Sequence, residues 1–208
     1  MHTSKEYNER RNDILNAAER LFSIKGYDKC TVNNILNDVG IAKGTFYYYF
    51  KSKEEVLDSI IDRVNSIVIQ RAEAVVSNSE LSPVEKLINV ILSMNVKSEI
   101  DNEFMERLHK PDNALIHQKS LTLMVEQIVP ILNKVVDEGI GKGIFKSKYP
   151  TQYMQIFLTS SMTLLDDGIF QISREEQQMI IRALVALLDK MFEVEEDTFW
   201  KVAKKYYE

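Results

Sequence analysis

From Ile14 to Lys53 the apolar residues recur three and four positions apart, and glycines cut the pattern into short pieces, a spacing that only helices use. Ile14, Ala17, Ala18, Leu21 and Phe22 make one stripe of a first helix, which Gly26 ends. Thr31 is placed to cap a short second helix bearing Ile35, Leu36 and Val39, because its hydroxyl can accept an N–H that the first turn leaves unpaired. Gly40 stops that helix, and Ala42, Phe46, Tyr49 and Phe50 mark one face of a third. Ser52 to Glu55, SKEE, is expected to form a capping box opening a long fourth helix towards Val76.

The same period continues. Ser82-Pro83 with Glu85 predicts another capped helix, carrying Leu87, Ile88, Ile91 and Leu92. A helix is expected over 102–109, then a long one from about 113 to 138 in which Pro130 removes one backbone hydrogen bond. Two more are expected over 151–165 and 174–192, and DTFWKVAKKYY closes the chain with a short one. Seven Gly and four Pro in 208 residues leave little material for turns, and no strand alternation competes. The fold class predicted is all-α: a three-helix N-terminal domain over 1–52, followed by a helical bundle over 53–208.

Composition narrows the function. The net charge of −5 argues against a protein that coats nucleic acid, yet residues 1–53 carry +3 and the remainder −8. A mildly basic front on an acidic body suits a DNA reader joined to a regulatory domain. The single cysteine, Cys30, can form neither an intrachain disulfide nor a C-x-x-C motif, and reads as a small core side chain. No run of about 18 apolar residues occurs, and the polar opening MHTSKEYNERRND lacks a signal-peptide core, so a cytoplasmic protein with no membrane partner is expected.

The second and third helices, joined through Gly40-Ile41, have the proportions of a helix-turn-helix, whose second member enters the major groove of DNA. The run GTFYYYFKSK then divides by geometry. Phe46, Tyr49 and Phe50 fall on the side of Ala42 and should anchor the helix to its own domain. Lys43, Gly44, Tyr47 and Tyr48, with Thr45 at the margin, should face outward. They offer a cation, a position open to close backbone approach, and hydroxyls for phosphate oxygens. Tyr48 could reach a base edge or only the backbone.

The stretch RRNDILNAAERLFSIKGYDKCTVNNILNDVGIAKGTFYYYFKSKEEVL resembles the N-terminal domain of the TetR/AcrR family of bacterial transcriptional regulators. The marks are Ala17-Ala18 before Leu21-Phe22, Gly26-Tyr27, Thr31-Val32, Val39-Gly40-Ile41, Lys43-Gly44-Thr45-Phe46-Tyr47 and Tyr49-Phe50 before Ser52-Lys53-Glu54. The resemblance implies that Thr31 caps its helix and touches phosphate, that Asn33 lies near the backbone or a base edge, and that Lys43, Gly44 and Thr45 face bases. It places Tyr47 and Tyr48 on phosphate or thymine methyl, and Lys53 on phosphate. Cys30 departs from the threonine of many relatives, and Asn33, Asn34 and Asn37 from the Arg or Asp often found in that helix.

For the body, the resemblance implies a small-molecule pocket and two late helices that form a four-helix interface with a second subunit. Met94, Phe104, Met105, Leu108, Met124 and Phe157 are the candidates for an apolar pocket, since methionine and phenylalanine line adaptable cavities. Glu99, Glu103 and Glu106 could attract a cation but read as a solvated face. Ile156, Ser160 and Leu164 on one helix and Ile181, Leu184 and Leu188 on the other supply stripes for the dimer. Two reading heads about 34–36 Å apart would meet a palindromic operator. His109 and His117 lack metal-ligand spacing, the glycines of EGIGKGIF lack P-loop spacing, and no nucleophile and base assemble, so no metal, cofactor or enzyme activity is expected. The function expected is a ligand-responsive regulator, a repressor binding its operator as a homodimer. The alternative is a helical adaptor that uses the helix-turn-helix to bind protein.

Overall fold

The computed structural model describes residues 4–94, 114–166 and 168–206. Every regular element among them is helical: α1 (Ser4–Lys25), α2 (Val32–Val39), α3 (Lys43–Tyr49), α4 (Lys53–Ser77), α5 (Pro83–Ser93), α6 (Ala114–Gly141), α7 (Pro150–Leu164), α8 (Arg174–Met191) and α9 (Thr198–Ala203), with a last 3-10 turn at Lys204–Tyr206. The helix expected over 102–109 lies outside the described residues, as do Glu99, Glu103, Glu106 and His109. α6 continues through Pro130, whose ring nitrogen has no hydrogen for the carbonyl of Glu126.

Local chemistry accounts for most helix ends. At α2, Thr31 and Asn34 form a reciprocal capping box, and Gly40 closes the helix at φ 71°, a left-handed conformation that glycine adopts without steric cost. Ser82 with Glu85 opens α5, and Ser173 with Glu176 opens α8. The SKEE box at α4 is only half formed. The N–H of Glu55 donates to Ser52 Oγ at 3.1 Å, but the Glu55 carboxylate accepts from the N–H of Lys51, at 2.6 Å, rather than from that of Ser52. The carboxylate serves the amide one residue further out.

The described chain divides into two compact units, 4–66 with 114–120, and 67–94 with 121–166 and 168–206. The division falls inside α4, between Ser66 and Ile67, whereas the sequence suggested a boundary at the helix start, between Ser52 and Lys53. In the first unit Ile14, Ala18, Phe22, Ile35, Phe46, Phe50, Val56 and Ile60 are buried together with Cys30. Burial pushes the Cys30 thiol pKa up, which keeps it protonated and inert.

The second unit is built round an aromatic cluster. Phe145 stacks on Phe192 with ring centroids 4.9 Å apart and on Phe199 at 5.7 Å, and all three are buried. Asp189, buried in α8, accepts the N–H groups of Asp197 at 2.9 Å and Phe199 at 3.1 Å, and so caps α9 from a distance. Lys86, buried in α5, donates to Glu138 at 2.8 Å, and Lys142 bonds the same carboxylate at 2.6 Å. Hydrogen bonds from Lys142 and Lys86 hold the Glu138 pKa below its ordinary value. Its contribution is therefore complete above the usual carboxylate range and is lost as pH falls through the depressed value. The expected result is a melting temperature that drops in acid with a slope that Glu138→Gln reduces, the variant being less stable at neutral pH by about 2 kcal/mol. Thermal melts across pH 3 to 7 check this.

Candidate nucleic-acid interface

α3 is held by its buried side and exposes the other. Phe46 and Phe50 are 0% and 1% exposed, whereas Tyr47 and Tyr48 are 48% and 66% exposed. Lys43, Gly44 and Thr45 lie on the same outer surface. The Lys43 ammonium is 5.9 Å from the centre of the Tyr47 ring, one turn on. A Cβ built on Gly44 meets nothing within 4 Å. The chain itself therefore gives no packing reason for glycine here, and the open space lies on the face with the exposed cation and hydroxyls.

Around this face the head is cross-braced. Arg11 of α1 lies over the Phe50 ring at 4.9 Å and donates to Ser59 of α4 at 2.9 Å. Arg63 of α4 binds Asn16 at 2.7 Å and pairs with Glu19, and Arg20 pairs with Asp38 across α1 and α2. Desolvation, with Arg11 nearby, shifts the Arg63 pKa down. Lys119 of α6 bonds Glu54 at 2.7 Å and Asp58 at 2.9 Å, and its hydrogen bond holds the Glu54 pKa low.

Two of the candidate residues already have structural duties. Thr31 and Asn34 exchange the bonds of the α2 cap, while Asn33 is exposed beside them. Lys53 donates to the carbonyls of Tyr27 at 2.7 Å and Cys30 at 2.9 Å, with its ammonium 3.9 Å from the Tyr27 ring centre. It ties the α1–α2 turn to the start of α4, which leaves one N–H for a phosphate.

The sequence reading passed over Tyr7. Its ring meets Tyr48 edge-on at 5.8 Å and Tyr49 at 4.8 Å, so the first turn of α1 supports the exposed end of α3. The signal was present, since Tyr7 lies two turns before Ile14 on the same stripe.

Elsewhere the candidates separate. Met124 and Phe157 are buried in the second unit and Met94 is half-buried at the end of α5, while Phe104, Met105 and Leu108 lie outside the described residues. On α7, Ile156 is 54% exposed, with Ser160 half-buried and Leu164 exposed on the same stripe. On α8, Leu184 and Leu188 are buried in the chain's own core, Ile181 is half-buried, and the exposed apolar residues of that helix are Met179 and Leu187. Leu188, Phe192 and Phe199 are all fully buried. Among the described residues no helix is long and apolar enough to cross a membrane, and no three His, Cys, Asp or Glu side chains group as metal ligands do.

Comparison with known proteins agrees with this geometry. Residues 14–60 match the model for bacterial regulatory proteins of the tetR family, and residues 96–187 match that for the tetracyclin repressor-like C-terminal domain. The HTH-type transcriptional repressor KstR2 of Mycobacterium tuberculosis is 30% identical over 153 residues, 68% of this chain and 72% of its own length. The HTH-type transcriptional regulator TtgR of Pseudomonas putida is 26% identical over 118 residues, 56% of this chain and 53% of the relative, so the match spans about half of that protein. The crystal structure of RolR in complex with resorcinol superposes with a TM-score of 0.64 at 16% identity, covering 98% of this chain and 97% of that one, a likeness of fold. With residues 14–60 matched by the family model and a repressor 30% identical over two thirds of both lengths, the chain belongs to the TetR/AcrR family of transcriptional regulators.

Proposed function

We propose that the chain is a cytoplasmic repressor that binds a palindromic operator as a homodimer and is released by a largely apolar small molecule. Residues 1–52 act as the reading head and 53–208 as the sensing and pairing body. The observation that carries this is the outer face of α3. A cation, a glycine with open space above it and two exposed tyrosines stand on a buried aromatic anchor. Lys43, Gly44 and Thr45 face the bases. Tyr47, Tyr48, Thr31, Asn33 and the remaining N–H of Lys53 serve the backbone, and Tyr48, steadied by Tyr7, keeps to phosphate.

In the second subunit's direction, Ile156, Ser160 and Leu164 of α7 and Met179, Ile181 and Leu187 of α8 form the pairing stripe. Met94, Met124 and Phe157 belong to the effector pocket. Binding there shifts the distance between heads only as far as the effector prefers one spacing over the other.

Titration of DNA upstream of the protein's own gene, at several salt concentrations, tests the reading. Affinity should fall steeply with salt and exceed that for random duplex. Lack of either would favour the adaptor that binds protein. Lys43→Ala should relax base preference at one position of each half-site at a cost of about 1–3 kcal/mol, while Tyr47→Ala should weaken binding to all sequences alike. The reversed pattern would mean that the two residues exchange roles.

A further inference from the structure

Tyr7 is the one side chain between Lys5 and Arg10 that packs against the protein, since Lys5, Glu6, Asn8, Glu9 and Arg10 are all exposed. Among the described residues, both of its ring contacts are with the end of α3. Tyr49 lies at 4.8 Å and Tyr48 at 5.8 Å, the latter edge-on with the ring planes 76° apart. Tyr48 also meets Tyr49 edge-on, at 5.0 Å and 86°. All three rings belong to the first compact unit. Tyr48 is thus fenced by two aromatic neighbours while 66% of it stays exposed. An exposed ring loses rotamer freedom when it docks on a partner, and a ring already held by edge-to-face neighbours has given up that freedom beforehand. The rest of α1 does not depend on the contact, because Ile14, Ala17, Ala18, Leu21 and Phe22 are buried further along the helix.

We propose that Tyr7 is a positioning residue for operator binding, which acts through Tyr48, sets that ring in its DNA-bound orientation before DNA arrives, and touches no DNA itself. The proposal rests on, and deepens, the reading of the outer face of α3 as the surface offered to DNA. It makes the first turns of α1 a working part of the reading head. A neutral ring acting on another neutral ring adds no phosphate charge pair, so the gain is affinity for all sequences alike with the salt dependence untouched.

The test uses the full chain and the duplex from upstream of the protein's own gene. Tyr7→Ala should bind about tenfold more weakly, because the brace acts once in each head of a dimer, and the slope of affinity against salt should not change. Tyr7→Phe keeps the ring and should bind as wild type does. In a Tyr48→Ala chain, adding Tyr7→Ala should weaken binding no further. A loss of the same size with and without Tyr48 overturns the proposal and makes Tyr7 an anchor of α1 alone. Weakened binding by Tyr7→Phe also overturns it, in favour of a Tyr7 hydroxyl that bonds phosphate directly. Nuclear magnetic resonance of the free chain with ring-labelled tyrosine gives a readout independent of DNA. In Tyr7→Ala the Tyr48 ring signal should move towards its random-coil position while the methyl signals of Ile14 and Ile35 stay in place, and a Tyr48 signal indifferent to Tyr7 overturns the brace. Wild-type chain that binds no DNA would remove the operator reading and the proposal together, whereas wild-type binding that Tyr7→Ala leaves unchanged removes the proposal alone.

Discussion

Gly139→Ala is expected to lower stability by about 3 kcal/mol, and the melting temperature by roughly 6–12 °C for a chain of this size. A Cβ at Gly139 would stand 2.1 Å from Cδ2 of Phe145 and 2.5 Å from Cε2, far inside contact distance. The ring has no room to yield. It is buried against both Phe192 and Phe199, which also touch each other with ring centroids 6.0 Å apart, and its segment is pinned by the N–H groups of Ile144 and Phe145, which both donate to the Gly139 carbonyl, at 2.9 and 3.1 Å. Gly143, at φ 69°, makes the return possible. Phe145→Leu in the same chain should restore part of the loss, so that the double variant is more stable than the sum of the singles by over about 1 kcal/mol. A Gly139→Ala protein that melts with the wild type would show that the ring lies elsewhere.

Gly44→Ala should separate folding from function. In the free chain the methyl group meets nothing within 4 Å, and alanine is the better helix residue, so stability should rise by a few tenths to about 1 kcal/mol. Operator affinity should nevertheless fall by about one to two orders of magnitude, because the methyl group would occupy the space that α3 leaves for a base edge or backbone. Thermal melts and a DNA titration on the same preparation decide it. A stabilised variant with full affinity would mean that DNA never comes close to Gly44, and would move the reading surface towards Tyr47 and Tyr48.

Both glycines are plain in the sequence, but their reasons are not. EGIGKGIF was correctly read as a helix end and turn, since spacing alone excludes a phosphate loop. That Gly139 is the floor under a phenylalanine depends on Phe192 and Phe199, more than forty residues away, closing over Phe145. The division of GTFYYYFKSK was legible because helical period assigns faces without knowledge of the partner. Which side of α8 turns inward was not, because Leu184 and Met179 both sit on apolar lines and only the packed neighbours choose between them.

Sequence by itself determined the helical class, most helix ends and the two faces of α3, since period, caps and glycine conformation act within a few residues. Tertiary structure alone decided what spans long separations. The Lys53 ammonium is drawn to the carbonyls of a turn more than twenty residues earlier, Tyr7 comes to rest beside Tyr48, Asp189 caps a helix not its own, and the Asn65 amide is left without a partner. Such contacts depend on which surfaces meet once the helices pack, and local pattern does not carry that information.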